Sequence, residues 1–354
     1  MEMLSKKLHF KNIDFLKFVF AIFIVILHIA YWFNPYSPVL KNMKIANMNC
    51  VELFFIISGF MLVYTFSPKI STARFFIKKI IRLFPVLLFA TTICFILSLF
   101  KILHFPFMDN VFALFFLNGM HLADNHTEIQ GWGSVFPSWY VSVLVWVSLL
   151  YFYIIKSFGF KTFNILAWFV VFVGLYCLNY KVNIVINRDV LKALSSMAIG
   201  CILGQLFLIY ETKITTAIYS LKTKIFYTLV EGGILGYLIY CISTTKSHVG
   251  MTDIMFLFSI LFVLFILKIG YVSKLLDNKL SKQLGAYSYS VYMTHAIWIH
   301  IYAKFWFTPQ NTDTVWVSWG GVTLSVIICV VFGILTHYVV EKPATKFVKR
   351  KYNL

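Results

Sequence analysis

Two residues inside the first long apolar stretch of the chain, Lys17 and His28, have side chains that could carry out chemistry within a membrane. Both belong to the segment from Ile13 to Phe33. The turn angle of an α-helix places them on one face, separated by about 16 Å of helical rise. A cation and a titratable imidazole in a membrane span are costly and by default mark a functional pathway. The pair therefore predicts a site that extends along the membrane normal.

Each of these residues also has a structural explanation. Lys17 would lie about 8 Å inside the membrane, close enough for its side chain to reach the inner headgroups. His28, about 24 Å inside, could simply bond to a neighbouring carbonyl. Asp14, one turn before Lys17, could pair with it or stabilise the N-terminus of the helix. Spacing alone does not decide between the functional and the structural interpretation.

A carboxylate is predicted at roughly the depth of His28. Glu52 begins the second apolar segment, which would run from the outer to the inner surface. A carboxylate beside an imidazole fixes its tautomer, which is how a general base is oriented. The alternative is a glutamate at the interface that faces water.

Cations also precede the third apolar segment, in the string ARFFIKKIIRLFP from Ala73 to Pro85. Lys79 and Arg82 are at positions i and i+3, so they face one way on a helix. Such a pair can hold a phosphate or a pyrophosphate. The alternative is the ordinary positive charge found at the cytoplasmic end of a span.

The composition indicates which elements must position these residues. Of 354 residues, 60% are hydrophobic and 12% charged, and the mean hydropathy is +0.83, which exceeds what a soluble core requires. Apolar runs of roughly 17–25 residues, the length that crosses a bilayer, recur throughout. The pattern predicts an all-α integral membrane protein with a bundle of about ten helices. The expected spans are 13–33, 50–67, 83–100, 138–155, 163–180, 190–210, 225–243, 253–270, 284–303 and 316–338.

The remaining segments predict a single membrane domain over residues 1–354. Between 101 and 137 the apolar run is too short to cross, which favours a re-entrant or interfacial piece. The first apolar stretch is too long for the core of a cleaved signal peptide, so it is expected to remain as a span. A short basic cytoplasmic tail is expected at 341–354.

The net charge of +18 is spread over short loops and is not confined to one face, which argues against nucleic-acid binding. The predicted outer segments hold fewer than half as many lysines and arginines as the inner ones, which predicts that both termini are cytoplasmic. The six cysteines are scattered without metal-binding spacing and are interpreted as small buried hydrophobic residues. No metal site is predicted.

Six strings, in order along nearly the whole chain, resemble the motifs of acyltransferase family 3, the integral-membrane O-acyltransferases. They are Lys17-x10-His28, VELFFIISGF (Val51 to Phe60), KIIRLFP (Lys79 to Pro85), PSWYVSVL (Pro137 to Leu144), LGAYSYSVYMTH (Leu284 to His295) and HYVVEKP (His337 to Pro343). Each is weak alone, and together they are specific. Two positions depart from the family pattern: Lys79 replaces the first arginine of an Arg-x-x-Arg motif, and Leu144 replaces a glutamate found in many members.

The resemblance implies a multi-pass enzyme of a bacterial cytoplasmic membrane. Such an enzyme takes an acyl group, usually acetyl from acetyl-CoA, and delivers it to a hydroxyl of a surface polysaccharide or a lipid-linked glycan outside the cytoplasm. On this interpretation Lys79 and Arg82 hold the phosphates of coenzyme A, and Lys17 helps to hold the donor. His28, oriented by Glu52, deprotonates the acceptor hydroxyl or carries the acyl group itself. Acetyl-CoA is a substrate, and no permanently bound cofactor is expected.

Other residues are assigned to the periphery of this site. His295, about 16 Å into its span, could face the same cavity as His28 or be structural. Trp139 belongs to a matched motif. Glu341 is expected at the inner surface, where it could pair with Arg82 or Lys79 in a mainly structural role. The loop 119–137, which contains carboxylates, imidazoles and tryptophans, is either a glycan platform or a solvated loop, and Glu231 matches no motif.

Two other functions fit a polytopic chain with buried charge. A transporter or flippase for a lipid-linked glycan is one, although no inverted repeat or pair of broken helices supports it. A non-enzymatic membrane subunit of a synthase complex is the other, and the leucine at position 144 is the feature that favours it. Binding of coenzyme A separates the acyltransferase from the flippase.

Overall fold

The computed structural model describes residues 8–33, 50–100, 107–118, 135–180, 182, 186–243, 251–305 and 315–352. These residues form helices and no strand. The elements are α1 (Lys11–Phe33), α2 (Val51–Tyr64), α3 (Thr72–Leu99), α4 (Phe107–Leu114), α5 (Ser138–Tyr180), α6 (Arg188–Thr216), α7 (Leu221–Ser243), α8 (Met251–Leu267), α9 (Tyr271–Leu275), α10 (Lys279–Phe305), α11 (Val315–Thr336), a π-helical turn (His337–Glu341) and α12 (Lys342–Tyr352).

Five helical stretches among the described residues are long and apolar enough to cross a membrane: α1, α3, α5, α6 and the stretch from Trp319 to Arg350. The predicted all-α membrane bundle is confirmed at this level. Helices α2 and α8 are apolar but shorter, and α5 joins two predicted spans across Gly159, whose φ of 77° interrupts the helix. The count of ten spans and the orientation of the termini stay predictions.

Helices α2 and α6 pack against each other through glycines. A Cβ atom at Gly59 would overlap the backbone of Met197, and one at Gly200 would overlap the backbone of Ile56. Gly204 lies close to Phe60 in the same way. Lys192 is near Glu52 at the start of both helices, and Tyr64 donates to Glu211 near their ends, so the two helices run in the same direction. Small residues allow this close approach, because association between apolar helices in a membrane depends on direct packing.

Helices α1 and α10 form the second close pair, and this pair positions the site described below. Gly285 lies directly against the backbone of Asp14, where any side chain would collide. Further along both helices, His28 faces His295. The contacts advance in the same direction on both helices, so α1 and α10 are parallel and their polar residues lie on facing sides.

The short helix α4 reaches the middle of the bundle without crossing it. Its eight residues span only about 12 Å. The chain then turns at Phe116, whose φ is 59°, and its carbonyl accepts a hydrogen bond of 2.9 Å from Trp146 Nε1, about two turns into α5. The rings of Phe116 and Phe84 are 6.4 Å apart. The segments 101–106 and 119–134 lie outside the described residues, so the re-entrant or interfacial piece predicted within 101–137 stays a prediction.

Glu231, which matches no sequence motif, has a structural role. Its side chain is fully buried, and Oε2 accepts a 3.1 Å hydrogen bond from the backbone N–H of Ser273 at the start of α9. Thr228, one turn earlier on α7, accepts from the backbone N–H of Tyr271 at 2.8 Å. Helix α7 therefore caps the N-terminus of α9 with two side chains. Five of the six cysteines, Cys50, Cys94, Cys177, Cys201 and Cys329, are free and buried, as predicted.

Substituting alanine for glycine tests the α2–α6 contact. We expect Gly200→Ala to destabilise the protein by about 1–3 kcal/mol, because its methyl group must displace the backbone of Ile56. Gly233→Ala is the matched control, since open space surrounds that position and alanine favours the helix by up to about 1 kcal/mol. The midpoint of thermal unfolding in detergent measures both. Equal midpoints would contradict the packing.

Candidate active site

The centre of the candidate site is a pair of histidines contributed by α1 and α10. His28 Nδ1 lies 3.0 Å from His295 Nε2, and the two rings are stacked with centroids 5.0 Å apart. His295 is fully buried, and its Nδ1 lies 2.5 Å from the carbonyl oxygen of Tyr292. The two residues are 267 positions apart in the chain, and the structure brings them together, which is one of the two alternatives that the sequence left open for His295.

Aromatic residues surround this pair. The ring of Phe136 lies 4.6 Å from that of His28 and 5.3 Å from that of His295. The hydroxyl of Tyr292 donates a 3.2 Å hydrogen bond to the carbonyl of Pro137, and its ring lies 5.5 Å from that of Tyr140. Residues from three of the sequence motifs, those of α1, of the start of α5 and of α10, therefore lie together at one site. Water is largely excluded from His295, which strengthens electrostatic interactions there.

Trp139 lies at the edge of this aromatic group. It is buried, and its ring meets that of Tyr140 edge to face with centroids 6.3 Å apart. The ring of Tyr140 contacts both Trp139 and Tyr292, and so connects Trp139 to the aromatic group. This geometry suits a residue that supports the site.

Lys17 forms an ion pair with the carboxylate one turn before it. Its Nζ lies 2.5 Å from Asp14 Oδ1, and the other carboxylate oxygen lies 2.6 Å from His9 Nε2. Of the two alternatives for Asp14, pairing with Lys17 is therefore the one observed. The side chain of Lys17 is 24% exposed, and its ammonium group is held in place by Asp14.

Three cations gather at the same end of the bundle. Lys79, half-buried on α3, donates to Ser148 Oγ on α5, and that hydroxyl donates to the carbonyl of Leu144 at 2.5 Å. Arg82, one turn further along α3, is exposed. It lies close enough for its charge to act on both Lys79 and Lys17. Like charges held together repel, so this cluster is suited to an anionic ligand.

The predicted contact between Glu52 and His28 is not formed. Glu52 is fully buried, and its nearest charged group is Lys192 on α6, with Nζ 3.9 Å from Oε1. Lys192 lies equally far from Asp189 Oδ1. Neither oxygen of Glu52 has a hydrogen-bond partner among the described residues. The residue starts the predicted helix, but it faces α6 and not α1, so it does not orient His28 in this structure.

The expected pairing of Glu341 with Arg82 or Lys79 is also not formed. Glu341 Oε2 accepts hydrogen bonds from Ser290 Oγ at 2.6 Å and from His337 Nδ1 at 2.9 Å. The π-helical turn brings Glu341 onto this face, where it joins α10 to the end of α11. The structure therefore gives Glu341 other partners than the sequence predicted, and its structural role stays a prediction.

Tyr292, beside the histidine pair, and Lys192, beside Glu52, were not predicted from the sequence to have a role. Tyr292 stands one turn before His295 within a matched motif, which was the available signal. Lys192 is a cation inside a predicted span, a feature that by itself marks a site or an ion pair. The predicted glycan platform falls mostly on 119–134, which lies outside the described residues.

The described residues form a helical membrane bundle that contains a buried histidine pair and a cluster of cations. The chain belongs to acyltransferase family 3: the family's sequence profile, described as an acyltransferase domain, matches residues 10–335, nearly the whole chain. The family membership confirms the resemblance found in the sequence and supports acyl transfer in the membrane as the general activity. No curated protein and no solved structure matches the chain significantly.

The buried pair of Glu52 and Lys192 gives a stability prediction. We expect Lys192→Met to cost on the order of 3–5 kcal/mol, because it leaves a buried carboxylate without a counter-ion. Glu52→Gln should cost less, since Lys192 still has Asp189 at 3.9 Å. Thermal unfolding of the two variants and of the double variant measures this. A Glu52→Gln protein that is less stable than the Lys192→Met protein would contradict the pairing of Glu52 with Lys192.

Proposed function

We propose that the protein is an O-acyltransferase that moves an acetyl group from cytoplasmic acetyl-CoA to a hydroxyl of an extracytoplasmic glycan. The acceptor is a surface polysaccharide or its lipid-linked precursor. The observation that carries the proposal is the arrangement along α1. Lys17 stands beside Arg82 and Lys79 at one end, and His28 lies further along the same helix, in the histidine pair.

The cation cluster suits the phosphates of coenzyme A. Arg82 can hold a phosphate with two parallel hydrogen bonds, whereas Lys79 and Lys17 act as point charges. The interaction of Lys79 with Ser148 keeps its ammonium group in place without neutralising it. A pantetheine arm extends about 15–20 Å, which matches the rise of about 16 Å between Lys17 and His28. The thioester would therefore reach the histidine pair.

The proposed reaction is direct transfer with His28 as general base. The acceptor oxygen attacks the thioester carbonyl while His28 takes the hydroxyl proton. The new C–O bond forms, the C–S bond breaks, and the thiolate of coenzyme A leaves and receives the proton from His28. Help of this kind contributes about 10²–10⁴-fold to a rate.

The proposed location is a bacterial cytoplasmic membrane, crossed about ten times with both termini inside. The lysine and arginine bias along the sequence supports this orientation, and it places the cation cluster on the side where coenzyme A is available. Family membership favours the acyltransferase over the flippase.

Replacing one cation tests the donor site. We expect Arg82→Gln to weaken the binding of acetyl-CoA to the purified protein at least about tenfold, because a charge-assisted phosphate contact is lost. Lys78→Gln is the matched control: it removes the same charge from an exposed residue of the same helix, outside the cluster. The measurement is equilibrium binding of radiolabelled acetyl-CoA. Equal weakening by both variants would indicate a general effect of charge and contradict a specific site.

Radiolabel transfer tests the activity itself. Membranes that carry the wild-type protein or His28→Ala at equal amounts are given [acetyl-¹⁴C]-coenzyme A, and label is counted in the glycan fraction. We expect transfer by the wild type and a loss of at least about 10²-fold in the variant, with donor binding retained. Equal label in both would remove His28 from the mechanism. No label in either, with acceptor present, would contradict the proposed activity.

A further inference from the structure

The hydrogen bonds of the histidine pair determine which nitrogen atoms carry protons. His295 Nδ1 lies 2.5 Å from the carbonyl oxygen of Tyr292, and a carbonyl oxygen only accepts, so Nδ1 must be the protonated nitrogen. In a neutral imidazole the other nitrogen is then an acceptor. His295 Nε2 therefore accepts from His28 Nδ1, which lies 3.0 Å away and must carry a proton. This leaves the lone pair of His28 on Nε2.

The surroundings favour a neutral His295. The residue is fully buried, and no carboxylate among the described residues forms an ion pair with either ring. A protonated His295 would place an uncompensated charge in the interior, next to a second imidazole. A neutral imidazole that donates at Nδ1 and accepts at Nε2 satisfies both of its polar atoms. Each donor in this series of hydrogen bonds, from His28 to His295 and from His295 to Tyr292, therefore has an acceptor.

We propose that His295 is the positioning residue of the transfer reaction and holds His28 with its basic Nε2 directed away from the pair. The inference rests on the proposed function and gives His295 the role that the sequence assigned to Glu52. As His28 takes the proton of the acceptor, its Nδ1–H remains bonded to His295 Nε2, and the carbonyl of Tyr292 supports His295 from behind. Proton transfer then requires no reorientation of the ring.

The helix contacts explain how the distance between the two rings is maintained. Gly285 allows α10 to lie against α1 at Asp14, and Phe136 packs against both imidazoles. The backbone contact at Asp14 sets the approach of the two helices about 21 Å along α1 from His28, and the ring of Phe136 packs against the pair itself. His295 acts through His28, so its removal should affect the chemical step and leave the binding of coenzyme A unchanged.

Two amide substitutions separate the positioning role from a structural one. In His295→Gln the amide oxygen occupies the place of Nε2 and can accept from His28. In His295→Asn the amide nitrogen occupies the place of Nδ1 and can still donate to Tyr292, but His28 loses the acceptor on α10 and keeps only the backbone carbonyl of Ile24 on its own helix. The measurement is turnover of [acetyl-¹⁴C]-coenzyme A into glycan in membranes, together with equilibrium binding of acetyl-CoA to each purified variant.

We expect His295→Asn to lower turnover at least about tenfold and His295→Gln to retain most of it, while the donor affinity stays that of the wild type in both. In a His28→Ala background the Asn substitution should have no further effect on turnover. Equal losses in the two folded variants, or an additive loss in the His28→Ala background, would overturn the positioning role. A wild type without transfer would instead overturn the proposed function.

Discussion

The structure depends on one constraint: a polar atom placed inside an apolar bundle must find its partner within the bundle. An unpartnered polar group costs several kcal/mol in hydrocarbon, where water does not replace the missing hydrogen bond. The buried polar residues of this chain are therefore informative about its organisation. His295 is matched at both nitrogens, and Glu231 caps a neighbouring helix. Glu52 differs from these two residues: it has a charged neighbour at 3.9 Å, and neither of its oxygens has a hydrogen-bond partner among the described residues.

The same constraint separates the two ends of the site. At the end expected to be cytoplasmic, exposed Arg82 and partly exposed Lys17 can meet an anion that arrives from water. Further along α1, the histidine pair sits among aromatic rings, where a proton transfer is sensitive to the position of each donor and acceptor. An acyl donor with a charged end and a long neutral arm fits a site that has cations at one end and buried histidines at the other. The helix α1 connects the two ends and sets their separation.

Local contacts were predictable from the sequence, and contacts between distant segments were predictable only in part. The pairing of Asp14 with Lys17 lies within one helical turn, so spacing made it one of the two alternatives for Asp14. Helical periodicity also placed Lys17 and His28 on one face. The depth of a residue in a span follows from counting along the helix, which gave about 24 Å for His28 and about 16 Å for His295 and left open whether they face one cavity.

The direction in which a side chain faces around the bundle does not follow from counting. Glu52 begins α2 where the sequence placed it, yet it faces α6 because Gly59 and Gly200 bring α2 and α6 into close contact. Glu341 likewise takes Ser290 and His337 as partners because a π-helical turn rotates it toward α10. These rotations depend on packing between helices, which the order of residues along one span does not reveal.

A cryo-EM structure of the protein with a non-transferable acetyl-CoA analogue would test the central claim most directly, namely that donor and base share one path along α1. The account predicts phosphates in contact with Arg82 and Lys79, and the acetyl carbonyl within reach of His28 Nε2. An analogue whose phosphates lie away from these cations, or whose acetyl group lies far from the histidine pair, would contradict it.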